Sequence, residues 1–304
     1  MPKISVYPDN GVKNSDQYVV ANAGVNYKRL GILPHLYKIV PSISGNNLVL
    51  ALQDLDGNVF SASNPLQTKI GDELAIIESA LSTTKAAGTN WNNLGSSALA
   101  TKEVDLFAYL INETGASAGI KLGWSRIPYG RVVGDFSSTT TNEKYLAGPT
   151  NYNATDKVQN IGRFNAILSA GAGYTWSLPA TSVIINRPIT ESRWLDWIPA
   201  VAPTAGAITS YTLNFAKYII GGTRWEAQYG VVITNNGTGS GALTLTVPFT
   251  TVDIAWGIGK NITTPVQLVG SVGDANTIIG FNKYDNSYPV ATGDTIRAVA
   301  SGEF

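Results

Sequence analysis

The chain has 304 residues, of which 14% are charged and 44% are hydrophobic, and its formal net charge is zero. This length predicts two domains with substantial cores, while the balanced charge, without a local basic cluster, argues against nucleic-acid binding and against attraction to anionic membranes. The absence of cysteine excludes disulfides, thiolate metal sites and cysteine nucleophiles.

The N-terminal segment is polar and irregular. Residues 1–10 contain Lys3, Asp9 and two prolines in place of an apolar stretch, so no cleaved secretory signal is expected. No apolar run approaches the length of a membrane span, which predicts a chain made in a cytoplasm without membrane insertion. Residues 1–34 are predicted to form an extended arm. Two interpretations stay open for it: a frayed terminus, or an attachment segment that orders on a partner.

A β pattern begins near Asn47. The apolar run 48–52 precedes Asp54-Leu-Asp-Gly-Asn58, and the Asp-Gly pair before the next apolar residues predicts a hairpin turn. Calcium binding is the alternative, but the glycine comes too early for an EF-hand loop, so the turn is favoured. The segment 72–81 fits either a short helix or a strand.

Further alternation extends the β pattern. Segments 104–111 and 120–124 alternate well, which predicts an N-terminal β-sandwich over residues 35–130. Residues 131–188 are rich in Gly, Ser, Thr and Asn, and we interpret them as a loop-rich connecting region with short strands.

The clearest pattern lies in the C-terminal third. Large apolar residues fall on every second position through Trp225, Tyr229 and Ile233, and the alternation resumes from Leu243 to Phe249. The Gly- and Asn-rich loop 235–241 predicts that these two strands pair as an antiparallel hairpin.

Additional strand signals complete a C-terminal module. They lie at 252–258, 266–269, 277–281 and 295–299. About eight antiparallel strands over residues 189–304 predict a jelly roll, so the fold class is all-β with two sandwich or jelly-roll domains. The residues expected to face its core or a subunit interface are Trp225, Tyr229, Ile233, Phe249 and Trp256.

Motifs for catalysis are weak. His35 is the single histidine, it has no partner motif, and we interpret it as structural. The cluster Glu191–Trp197 places acids beside aromatic rings as sugar sites do, but its alternation is ordinary for a strand packed on both faces. No catalytic residue, metal site or cofactor is predicted.

Exposed aromatic residues are the better functional lead, because Trp and Tyr rings give large contact areas at low entropic cost. The turn 284–288 and the loop 235–241 supply the candidate ligand-binding residues Tyr284, Asn286, Tyr288 and Asn236. A solvated turn before the last strand is the other interpretation of 284–288, and it is the favoured one.

A resemblance to known proteins also lies in the C-terminal third. The segment from Asn214 to Trp225, then a strand, a Gly/Ser loop and the segment from Leu243 to Thr250 resemble a module common in tailed-bacteriophage virion proteins. Less specific similarities begin at Ser125, Asn142 and Ile161. One departure is Val247, where that family more often has leucine.

The resemblance implies a jelly roll of the tumour-necrosis-factor/C1q kind, usually trimeric, as found in fibres, spikes and head decorations. It implies a non-enzymatic virion structural protein, made in the host cytoplasm, whose N-terminal region attaches to other virion proteins. The trimeric C-terminal module would face outwards, where a host-surface glycan is a candidate ligand.

Two other functions stay open. One is a cellular carbohydrate-binding or adhesion module, which the lack of a secretory signal disfavours. The other is a tail spike that depolymerises polysaccharide, which the lack of a long parallel-β repeat disfavours.

Overall fold

The computed structural model describes residues 37–88, 102–114, 118–126, 128, 156–169, 175–249, 255–272 and 278–303. Within these ranges the regular structure consists of β-strands, so the all-β class predicted from the sequence is confirmed. The predicted arm 1–34, His35 and nearly all of the loop-rich stretch 128–152 lie outside the described residues. Residues from Tyr37 onwards form one compact unit. The domain boundaries expected near residues 130 and 188 stay predictions.

The first part of the chain forms three small antiparallel sheets. Their strand orders are β1-β2-β5, β3-β4 and β7-β6-β8-β9. The strands are β1 (Lys38–Ser44), β2 (Asn47–Gln53), β3 (Leu66–Ile70), β4 (Glu73–Ile77), β5 (Leu81–Lys85), β6 (Lys102–Glu113), β7 (Gly119–Ser125), β8 (Lys157–Leu168) and β9 (Trp176–Ser177).

Two local predictions can be judged in this part. The ambiguous segment 72–81 contains strand β4 and the start of β5, and no helix. The turn predicted after β2 is confirmed: Asp54 Oδ1 accepts hydrogen bonds from the backbone N–H groups of Asp56 (3.0 Å) and Asn58 (2.7 Å). Gly57 takes the positive φ of +91° that this turn requires. The carboxylate of Asp54 therefore stabilises its own turn.

The C-terminal part forms one large antiparallel sheet. The order of its described strands is β10-β12-β13-β18-β15-β16-β17-β14-β11. These strands are β10 (Leu195–Asp196), β11 (Val201–Ala205), β12 (Ser210–Gly221), β13 (Arg224–Asn235), β14 (Ser240–Thr246), β15 (Ala255–Asn261), β16 (Val266–Val272), β17 (Ile278–Lys283) and β18 (Thr295–Glu303).

This sheet curls until its two edges nearly meet. The N–H of Trp197 donates to the carbonyl of Ala216 on β12 (3.0 Å), and the carbonyl of Ala200 accepts from Thr246 N–H at the end of β14 (3.1 Å). The three steps from Trp197 to Ala200 span at most roughly 11 Å of extended chain. The opposite edges of the sheet are therefore held close together by one short segment.

The hairpin predicted between the strands around 225–233 and 243–249 is wrong. Strand β13 pairs with β12 and β18, whereas β14 pairs with β11 and β17. The hairpin partner of β13 is β12, through the turn Gly222–Thr223, and Gly222 has the positive φ (+61°) that a tight reversal needs. Alternation reports which face of a strand is buried, and it does not report which strand lies beside it.

The core lies inside the curl. Alternate residues of every long C-terminal strand point into it, and aromatic rings meet edge to face, as in the pair Trp197 and Tyr229 with centroids 5.9 Å apart. A side chain from outside the large sheet enters the same core: Arg126, which follows β7, is 1% exposed and lies over the ring of Phe249 at 4.8 Å.

Candidate functional site

The predicted ligand-binding turn follows β17. Asn286 has a φ of 60°, and Asp285 Oδ1 accepts hydrogen bonds from Ser287 N–H (2.9 Å) and Ser287 Oγ (2.6 Å). These bonds from Ser287 hold the pKa of the Asp285 carboxyl below its usual value. Tyr284 is 88% exposed. The segment is thus a well-formed turn that presents one tyrosine ring to solvent.

Tyr288 and Asn236 lie in contact, although they are far apart in sequence. Tyr288 Oη donates to Asn236 Oδ1 (2.7 Å), and Asn236 Nδ2 donates to the carbonyl of Gly239 (3.1 Å). Partial burial raises the pKa of Tyr288. The two loops that hold the candidate ligand-binding residues therefore meet, but these polar groups already satisfy one another.

Asn261 fixes the loop that follows Tyr288. Its Nδ2 donates to the carbonyl of Pro289 (3.1 Å) and to Asp294 Oδ2 (2.6 Å), and its Oδ1 accepts from the N–H groups of Thr263 (3.1 Å) and Thr264 (3.2 Å). All four bonds form on a fully buried side chain. The sequence carried no signal for this role, because the partners are set by the packing of separate strands.

The residues expected in the core or at an interface divide into two groups. Trp225, Tyr229, Ile233 and Phe249 are buried inside the curl. Trp256 is instead 59% exposed on the outer face of β15, so it is not a core residue and only the interface role remains for it.

Small residues take the inward positions of β15. Ala255 is fully buried, and Gly257 is so closely packed that an added Cβ would lie 2.9 Å from Ile279 and 3.0 Å from Phe281. Large side chains from neighbouring strands fill the interior there. The bulky residues of β15 consequently face outwards.

An exposed apolar surface results, which we call the outer apolar patch: Trp256, Ile258 and Val269. Ile258 and Val269 are direct cross-strand partners, Trp256 stands two residues from Ile258 on the same face, and the three side chains are 59%, 60% and 59% exposed. Val299 on β18 continues the row as the other partner of Ile258. The patch lies on paired strands of the large sheet, a firm support for a contact surface.

Charged residues border the patch. Lys260 and Arg297 are direct cross-strand partners on one side of it, an arrangement that is unfavourable for like charges. On the other side, Ser301 lies between Trp256 and Glu226 in the same row of the sheet. A groove of about 530 Å³, lined by Phe215 and Gln228 among others, opens beside the cationic pair. The face therefore carries opposite charges at separate borders.

The cluster Glu191–Trp197 is held against β6. Arg193 binds the buried carboxylate of Asp105 through its backbone N–H (2.8 Å) and through Nη2 (2.6 Å). Leu195 and Trp197 are buried, whereas Trp194 is 43% exposed. The predicted alternation is correct, but one side of it faces solvent.

The described ranges contain no group of three or more His, Asp or Glu side chains placed to hold a metal ion. Nor does any helix among them have the length and apolarity that crossing a bilayer requires. No known protein family, curated protein or solved structure matches this chain.

Proposed function

We propose that the chain is a non-enzymatic virion structural protein of a bacteriophage, a fibre, spike or capsid-decoration component. Its N-terminal region attaches to other virion proteins, and its C-terminal module assembles as a homotrimeric jelly roll displayed outwards. The observation that carries the assembly is the outer apolar patch on a rigid sheet. The resemblance of residues 214–250 to virion modules carries the placement on a particle.

The strand order supports the jelly-roll assignment. Strands β13, β18 and β15 lie side by side in one half of the curled sheet, and β14, β17 and β16 lie side by side in the other. The consecutive pairs β13–β14, β14–β15 and β17–β18 are thereby divided between the two halves, whereas β16 and β17 lie side by side. This interleaving is how antiparallel Greek-key sheets fold over into jelly rolls.

The exposed side chains of the outer apolar patch support self-assembly. Three large side chains, each about 60% exposed and clustered on one sheet face, leave apolar surface in water that a neighbouring copy would bury. A side chain of the neighbour fits the adjoining groove of about 530 Å³.

The charge pattern supports a cyclic arrangement of copies. In a ring, the surfaces that meet are different parts of neighbouring subunits. The cations Lys260 and Arg297 of one copy can then approach the acidic border of the next copy around Glu226, which relieves the repulsion within the cationic pair.

The test is the native mass of the full chain at micromolar concentration. We expect a mass three times that of the chain for the wild type and a shift towards the monomer for Ile258→Asp, because a carboxylate would be buried in an apolar contact. Leu74→Asp is the matched control, since Leu74 is also exposed (74%) but lies on β4, outside the patch. A monomeric wild type would contradict the trimer, and equal effects of both variants would contradict the outer apolar patch as its interface.

A second measurement addresses the particle and the alternatives. Antibody labelling of intact particles should decorate them at regular positions, and absence of label from every particle would contradict the virion placement. Incubation with host capsule or lipopolysaccharide should release no reducing ends. Release of such ends would instead identify the depolymerising tail spike.

A further inference from the structure

A second groove, of about 550 Å³, lies between the segment 193–198, which contains β10, and the residues 213–216 of β12. Trp194, Ile198 and Phe215 form apolar parts of its wall, and Glu103, Arg193 and Asp196 supply its charged groups. No residue of the outer apolar patch lines it. It shares one lining residue, Phe215, with the groove of about 530 Å³, so Trp194 and the charged groups lie outside the surface that another copy would cover.

Trp194 is presented from a fixed backbone. On one side of it, Arg193 is clamped to Asp105 by its backbone N–H and by Nε (3.0 Å). On the other side, Leu195 pairs with Tyr218 on β12. An exposed indole held between two anchored residues loses little further conformational entropy when a ligand stacks on it.

The polar groups beside Trp194 are also oriented. Glu103 Oε1 accepts hydrogen bonds from Arg193 Nη2 (2.6 Å) and from Asn165 Nδ2 (2.6 Å). Burial by itself would raise the pKa of Glu103, but these bonds outweigh it and lower the pKa, so the carboxylate is charged at neutral pH. Glu103 keeps 39% of its side chain exposed and Asp196 keeps 82%, so both can still accept hydrogen bonds from a ligand.

We propose that this groove binds a neutral hexose unit of a glycan. An aromatic face covers the C–H surface of a sugar ring, while carboxylate and guanidinium groups bind its hydroxyls. The groove's charged groups are two carboxylates and one guanidinium that is already paired, which disfavours sulfated or uronic-acid polymers. The inference rests on the proposed function in one respect, that the displayed module meets a host surface, and it moves the sugar contact from the turn 284–288 to this groove.

The test is isothermal titration calorimetry of the full chain with neutral oligosaccharides, namely malto-, cello-, manno- and galacto-hexaoses, and with oligogalacturonate as the acidic probe. We expect at least one neutral probe to bind and Trp194→Ala to weaken that binding by about tenfold or more, since the substitution removes the aromatic face on which the sugar ring stacks. Trp256→Ala is the matched control, because it removes an exposed tryptophan from the other surface and should leave sugar affinity unchanged.

A conservative variant gives a second readout. Trp194→Phe keeps an aromatic face and should keep most of the affinity, while the sugar-induced change in tryptophan fluorescence should disappear. The proposal is overturned if no neutral probe binds more tightly than roughly 10 mM, if only the acidic probe binds, or if binding is the same in Trp194→Ala and wild type.

The two proposals fail separately. Trp194→Ala should leave the native mass trimeric, and Ile258→Asp should lower the mass while each subunit still binds sugar. A wild-type chain that is monomeric but binds sugar contradicts the assembly alone. A trimer whose sugar binding is insensitive to Trp194 contradicts the groove alone.

Discussion

Arg126 donates a hydrogen bond from Nη2 to the hydroxyl of Tyr218 across 2.8 Å, with both side chains buried. Arg126 follows β7 in the four-stranded sheet, and Tyr218 lies on β12 of the large sheet, so the pair joins two sheets that are far apart in sequence. The guanidinium also lies over Phe249. One planar cation thus connects the two halves of the compact unit.

Replacing this cation should destabilise the fold. Arg126→Lys keeps the charge but loses the planar group that both hydrogen-bonds and stacks, and we expect it to lower the free energy of unfolding by about 2 kcal/mol. Urea unfolding measures this. Arg224→Lys is the control, since Arg224 is 72% exposed and its ion pair with Glu303 should contribute roughly 1 kcal/mol or less. Equal losses would show that Arg126 does not join the sheets as described.

Gly162 on β8 should tolerate no side chain. An added Cβ there would collide with the carbonyl oxygen of Ile185 and with the side chain of Ile39. Gly162→Ala is therefore expected to lower the free energy of unfolding by about 1–3 kcal/mol. At Gly280 on β17 the nearest atom would be 3.5 Å away, so Gly280→Ala should be nearly neutral. Thermal unfolding of both variants checks the contrast, which would be absent if the Ile185 segment could move aside freely.

Buried tyrosines should make the fold sensitive to alkali. Burial raises the pKa of Tyr37 from 10.0 to about 12, and it raises the pKa of Tyr109 and Tyr229 as well. Above pH 10 the unfolded chain ionises these phenols while the folded chain keeps them protonated, so their contribution to stability is complete below pH 10 and falls as pH rises towards 12.

The measurement is the urea midpoint as a function of pH between 9 and 12, a window set by the ordinary and the raised pKa of Tyr37. Tyr37→Phe should flatten the decline, because the group that ionises preferentially in the unfolded chain is gone. Tyr284→Phe should not, since Tyr284 is 88% exposed. A wild-type midpoint that stays constant across this range would contradict the expectation.

Asn261→Asp should disrupt the loops around Tyr288. The substitution replaces the donor that faces Asp294 at 2.6 Å with a second carboxylate, and it leaves the Pro289 carbonyl without its donor. We expect a loss of about 2–3 kcal/mol in the free energy of unfolding at neutral pH, because the two carboxylates repel each other and a buried acceptor loses its donor. Denaturant unfolding at neutral pH tests this. Ser82→Asp, on an exposed position of β5 and outside the outer apolar patch, is the control.

Local patterns of the sequence predicted the features that a single strand or turn determines by itself. The alternation through Trp225, Tyr229 and Ile233 correctly gave a buried face, and Asp54 and Gly57 gave a turn. Each of these features depends on neighbours within a few residues. They required no knowledge of which strands lie side by side.

Properties that depend on which strands pack against one another were not predictable from the sequence. The outward direction of Trp256 follows from Phe281 and Ile279 occupying the interior beside Gly257, a matter of shared volume between strands. The sugar-binding groove likewise depends on Arg193 meeting Asp105, which is 88 positions earlier in the chain. In the sequence, Trp194 fits the alternation of an ordinary strand that is packed on both faces, so nothing marked it as exposed.

The short segment 197–200 connects two edge strands of the large sheet, and both strands are poor templates for pairing with a strand of another copy. The edge strands it connects are brief: β10 has two residues, and β11 has five, including Pro203, with a register shift directly after it. Proline offers no N–H to an incoming strand, and the irregularity spoils the template for further pairing. Many copies can therefore be held close together at high local concentration without their edge strands pairing into amyloid-like fibrils.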